Sequence, residues 1–95
     1  MKVVWSPLAL AKLAEIAEYI AQDKATAAES WVNELFDKAA LLSSMPQMGR
    51  VVPELPNMHY RELIIGNYRV IYSANQQITV LTVRHCRQLL DETSI

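Results

Sequence analysis

The apolar residues of this chain change their period once, part-way along. From Pro7 to about residue 42 they recur every three or four positions, the period of a helix; from His59 onward they come in β-branched and aromatic runs of strand length. Between the two lies a stretch, residues 45–58 (MPQMGRVVPELPNM), whose three prolines and one glycine are too many breakers for regular structure. Ninety-five residues support one core, so the helical stripe and one face of the strands must cover each other. The expected fold is a single α+β domain over residues 1–95.

Val3, Val4 and Trp5 form a short opening strand. It ends at Ser6-Pro7, an N-cap followed by a proline at the first helical position, where the missing N–H costs nothing. Leu10, Leu13, Ala17 and Ile20 then mark an inward stripe opposite Lys12, Glu15 and Glu18, to about residue 22. A second helix follows the break at Asp23-Lys24, with Asp23 or Thr26 as its N-cap and Ala28, Trp31, Leu35, Ala39 and Leu42 as its stripe. Glu34 and Lys38 add an i,i+4 pair worth roughly 0.3 kcal/mol. The two segments make a helical hairpin.

His59 to Ile65, Tyr68 to Ala74 and Ile78 to His85 read as a three-stranded antiparallel meander, separated by Gly66-Asn67 and by Asn75-Gln76-Gln77. A two-residue turn at Gly66-Asn67 puts Leu63, Ile65, Tyr68, Val70 and Tyr72 on one side. An even-length second turn adds Leu81 and Val83 to it. Glu62, Ile64, Arg69, Ile71, Val80, Thr82 and Arg84 take the other side. The first side is expected to bury the hairpin; the second holds two neighbouring arginines, which either pair with Glu62 as ordinary sheet-face residues or, with no obvious acid beside them, favour an anionic or acceptor-rich partner. Met45, Met48, Met58, Val51 and Val52 of the breaker-rich loop fill gaps in the domain's own core or meet a partner, the former being the expectation.

All four lysines precede residue 45 and sit among carboxylates on the helices, whereas all five arginines (Arg50, Arg61, Arg69, Arg84, Arg87) follow it, on strands or beside them. The working surface is therefore expected in the second half, where a planar fork can grip carboxylate or phosphate. A net charge of −1 argues against nucleic-acid binding by bulk electrostatics. One cysteine and two histidines without metal-ligand spacing build no closed zinc site, and two glycines make no phosphate loop. His85 and Cys86, as strand neighbours, point to opposite faces and do not form a nucleophile and base. The lone cysteine suits a reducing cytosol, no apolar run spans a bilayer, and no signal peptide opens the chain, so a soluble cytoplasmic protein is expected. An apolar fraction of 52% is high for so small a domain and leads us to expect a poor monomer with a partner.

The stretches Tyr60 to Tyr72 (YRELIIGNYRVIY) and Val80 to Leu89 (VLTVRHCRQL) resemble the RelE/ParE superfamily of type II toxin-antitoxin toxins, and the likeness in element order extends over nearly the whole chain. Its RelE-like branch cleaves mRNA on the ribosome with a strand arginine matching Arg69 and further basic residues, one of them matching Arg61. Here Leu63 stands where a second lysine is common, Cys86 falls near an expected arginine, no tyrosine follows Tyr72, and no acid/base pair is visible. The chain is closer to the ParE branch, which implies a non-enzymatic plasmid-stabilisation toxin that inhibits DNA gyrase, needs no cofactor, does not bind specific DNA sequences alone, and is neutralised by a cognate antitoxin. A ribosome-dependent ribonuclease and a non-toxic family member remain alternatives. The residues expected to meet the target are Arg61, Arg69, Arg84 and Arg87; those expected to meet the antitoxin are Leu10, Leu13, Trp31, Leu35, Met48 and Val51.

Overall fold

The computed structural model describes residues 1–95. Its elements are β1 (Val3–Trp5), α1 (Pro7–Asp23), α2 (Ala25–Ala40), β2 (Arg50–Val51), β3 (Arg61–Ile65), β4 (Tyr68–Asn75) and β5 (Gln77–His85). Short 3-10 turns occupy Leu41–Ser43, Pro56–Met58 and Glu92–Ser94. One mixed sheet runs in the order β1-β5-β4-β3-β2, with β1 parallel to β5 and all other pairs antiparallel. The α+β layout is as expected. The opening strand joins the sheet as an edge, and the breaker-rich loop contributes the two-residue strand β2 at the other edge.

Ser6 caps α1: its hydroxyl accepts the Ala9 N–H at 3.0 Å. The inward stripe of α1 is Ala9, Leu13 and Ile16; Leu10, expected inside, is 46% exposed. α2 starts after Lys24, which is extended and offers no side-chain cap, so neither Asp23 nor Thr26 serves as the N-cap. Its expected stripe is buried at Ala28, Leu35 and Ala39, continues to Leu42 beyond the helix, and is half-buried at Trp31. The Glu34–Lys38 pair forms at 3.4 Å.

Ile65 faces Tyr68 across the two-residue turn, with Gly66 in the left-handed region at φ 60°, where a side chain would be strained. The second hairpin differs from the expected faces. Ile71 pairs with Thr82 but Tyr72 pairs with Val80, so Leu81 is an extra, bulged residue. Val80 therefore joins the helix-side core, and Leu81 turns to the back of the sheet. The bulge is held from far away: Ser6 donates its N–H to the Val80 carbonyl and its hydroxyl to the Leu81 carbonyl, each at 2.9 Å. One residue thus caps α1 and anchors it to β5.

The main core lies between the hairpin and the sheet and includes Leu13, Leu35, Leu42, Leu63, Ile65, Val70, Tyr72, Ile78, Val80 and Val83. A smaller one behind the sheet joins Val52, Ile71 and Leu90 with Leu55, Tyr60, Leu81 and Ile95. The loop thus divides: Val52 and Leu55 pack inward, while Met45, Met48, Val51 and Met58 stay exposed. Tyr72, wholly buried, accepts the Gly49 N–H and donates to the Pro46 carbonyl, each at 2.9 Å. A Cβ on Gly49 would come within 2.8 Å of the tyrosine ring, so only glycine fits. Burial pushes the Tyr72 phenol above its ordinary pKa, the Gly49 bond and nearby Arg61 opposing this more weakly. Tyr72→Phe removes both hydrogen bonds and is expected to cost about 1–3 kcal/mol in urea unfolding, with faster hydrogen exchange at the Gly49 amide.

Candidate functional site

The back of the sheet carries a buried ionic cluster. Strand alternation puts Glu62 of β3 and Arg69 of β4 on this face, one diagonal step apart, because Glu62 pairs with Ile71 and Arg69 with Ile64. Glu62 accepts from Arg69 Nε at 2.8 Å and from Nη2 at 2.5 Å. Glu54, from the loop between β2 and β3, meets the guanidinium end-on, with Nη1 to Oε2 at 2.6 Å and Nη2 to Oε1 at 2.8 Å. The Gln88 carbonyl takes a fifth bond from Nη1 at 3.3 Å. A guanidinium has five N–H donors, so Arg69 is saturated within the protein. It is also only 4% exposed.

The carboxylates tie in other segments. Arg50 Nε donates to Glu62 Oε2 at 2.6 Å, joining the β2 edge, and Glu54 Oε2 accepts the Leu90 N–H at 3.0 Å, joining the C-terminal segment. Two arginines and two carboxylates balance, so the cluster, with Arg50 at its exposed edge, carries no net charge. The Arg69 bond holds the Glu54 carboxyl down at about 2; burial opposes it and the Leu90 amide adds to it. The Arg69 pKa moves upward, with Glu54 as the leading cause, burial opposing and Glu62 adding to it.

The acids beside the paired arginines are thus Glu62 and Glu54. Glu54 was not read from the sequence as a partner of Arg69; an acid between the apolar Val52 and Leu55, ahead of a strand arginine, was the available signal. Arg84 does lie directly opposite Arg69, as the meander implied. It has no carboxylate within ion-pair distance, and its buried Nε has no partner. Arg87 is exposed just past β5, where its N–H donates to His85 Nδ1 at 3.0 Å. Arg61 is on the opposite, helix-side face, half-buried and bonded to the Gly49 carbonyl at 2.7 Å. The four arginines therefore do not form one patch: Arg84 and Arg87 share one end of the sheet, Arg69 is sealed behind carboxylates, and Arg61 stands apart.

Of the six apolar residues expected to meet a partner, Leu13 and Leu35 are corrected to core residues, at 8% and 0% exposure, because the sheet covers that side of the hairpin. Trp31 is half-buried with its ring 5.2 Å from Tyr68. Leu10, Met48 and Val51 are exposed. No group of three His, Cys, Asp or Glu side chains is placed to hold a metal ion.

Residues 3–90 match the family described as the ParE toxin of type II toxin-antitoxin system, parDE. The chain belongs to the ParE toxin family. No curated protein matches it individually. Membership makes it a toxin of the type II class, whose systems pair such a toxin with an antitoxin. No helix of this ParE-family protein is long and apolar enough to cross a membrane.

Glu54 gives the cluster a pH signature. Its folded pKa of about 2 lies below the ordinary 4.5, so its contribution to stability is complete above pH 4.5 and is lost as pH falls toward 2. Urea midpoints followed from pH 6 to pH 2 should fall through that window, and Glu54→Gln should be less stable at pH 6 yet flatter across it.

Proposed function

We propose that this ParE-family protein inhibits DNA gyrase by binding, stalls replication, and is held inactive in the cytoplasm by a cognate antitoxin, an arrangement that stabilises a plasmid carrying the pair. The reading is supported by the family match and carried by the state of Arg69. Metal-free cleavage of RNA needs a cation free to meet the developing phosphorane charge, with an acid and a base beside it. The strand arginine matching that role has spent all five donors on Glu54, Glu62 and Gln88. Its neighbours are ionised partners rather than a proton donor and acceptor. Binding is thus favoured over chemistry.

In this reading Arg84 and Arg87 meet the target, since they carry charge with no carboxylate partner at the open end of the sheet. Leu10, Met48 and Val51, with the edge of Trp31, belong to the surface that the antitoxin covers, an interface expected to exceed about 1,000 Å².

A gyrase supercoiling and DNA-cleavage assay run beside an in vitro translation assay separates the readings. Cleaved DNA should accumulate with gyrase while mRNA stays intact. Arg84→Ala and Arg87→Ala should each lose roughly tenfold in potency, as for a charge-assisted hydrogen bond, at unchanged melting temperature, and Lys12→Ala should match wild type. Ribosome-dependent mRNA cuts with gyrase unaffected would assign the protein to RNA cleavage instead.

A further inference from the structure

On the helix side of the sheet a cleft of about 250 Å³ opens between the 45–58 loop and the ends of β3 and β4, lined by Gln47, Val51, Pro56, His59, Arg61 and Ala74. Arg61 is the one arginine or lysine on its walls, and no carboxylate lines the cleft. Its guanidinium is held by a relay that starts from the buried Tyr72. Tyr72 donates to Pro46, accepts from the Gly49 N–H, and so fixes the Gly49 carbonyl that receives Arg61 Nη1. Gly49 has no room to shift, since even a Cβ there would meet Tyr72 and the Glu62 carbonyl within 2.8 Å.

Only one bond from the Arg61 side chain goes to the protein, in contrast to the five made by Arg69. A rigidly placed fork with most donors unspent is built to receive an oxyanion. His59 adds a second mark. It sits at φ 61°, a left-handed conformation costly for a residue with a side chain, on the wall of the same cleft.

We propose that this cleft is a phosphate-binding site. Arg61 takes two oxygens through its fork, and His59 and Gln47 supply donors from other walls. Donors arriving from several directions suit a tetrahedral oxyanion, whereas a planar carboxylate is satisfied by the fork alone. The phosphate comes either from a nucleic-acid backbone or from a free nucleotide. The proposal is independent of the gyrase reading, since it uses the face opposite Arg84.

The test is a nitrogen-15 NMR titration of the full chain with inorganic phosphate, thymidine 5′-monophosphate and a short single-stranded oligonucleotide, with acetate at matched ionic strength as control. Saturable shifts at the Gly49, His59 and Arg61 amides are expected with phosphate and not with acetate. Arg61→Gln should weaken phosphate binding about tenfold or more, the loss expected for charge-assisted bonds. Because Arg61 also holds the loop, His59→Gly is the second variant. Glycine accepts the left-handed backbone, so this variant should melt no lower than wild type and still bind phosphate several-fold more weakly. Tighter binding of the oligonucleotide assigns the phosphate to a nucleic-acid strand, and tighter binding of the monophosphate to a free nucleotide; either supports the site. Equal shifts with acetate, no saturable shift, or wild-type affinity in the folded His59→Gly variant would overturn it.

Discussion

The guanidinium of Arg69 ties its own strand to three other parts of the chain at one point. Its two carboxylate partners and one carbonyl partner come from β3, from the loop after β2 and from the C-terminal segment. Each carboxylate also binds a further residue, Glu62 the Arg50 side chain at the β2 edge and Glu54 the backbone N–H of Leu90. The segments so gathered cover the smaller core of Val52, Ile71 and Leu90. A buried charge without partners is costly, so the cluster specifies its arrangement by penalising any other. The helix-side face needs no such device, because the hairpin covers it with a continuous apolar core.

The arginines thus divide into those with carboxylate partners and those without. Arg69 and Arg50 serve the fold through carboxylates, while Arg84, Arg87 and Arg61 carry charge that no acid within ion-pair distance meets. Arg84 is held against Arg69 by strand pairing, and the carboxylates that neutralise Arg69 are already taken by hydrogen bonds. In the proposed reading, an anionic or acceptor-rich surface of the target supplies compensation at that end of the sheet.

Local rules were enough wherever the cause was local. Ser6-Pro7 set the start of α1, and Gly66-Asn67 set the pairing of β3 with β4 and hence the faces of Leu63, Ile65 and Val70. The misreadings have distant causes. The bulge that exchanges Val80 and Leu81 leaves no mark near residue 80; it is fixed by Ser6, 75 positions earlier than Leu81. Leu10 and Ala9 fit two overlapping helical stripes, and hydropathy favours leucine. Packing instead places the small Ala9 against the core and leaves Leu10 outside. Glu54 lies in the loop and its partner lies across the sheet, so nothing local to residue 54 marked it as the second acid on Arg69.

The most direct test of the cluster's role is a double-mutant cycle on Arg69→Met and Glu62→Gln, read by urea unfolding at neutral pH. Arg69→Met alone leaves the buried Glu62 with only the exposed Arg50 and the half-buried Glu54 with only the Leu90 amide, and should cost about 3 kcal/mol. Glu62→Gln should be destabilising in the wild type, and it should be neutral or stabilising once Arg69 is gone, giving a coupling of about 2 kcal/mol or more. Equal costs of Glu62→Gln in both backgrounds, a coupling within about 0.5 kcal/mol of zero, would contradict the claim that this buried ion cluster organises the fold.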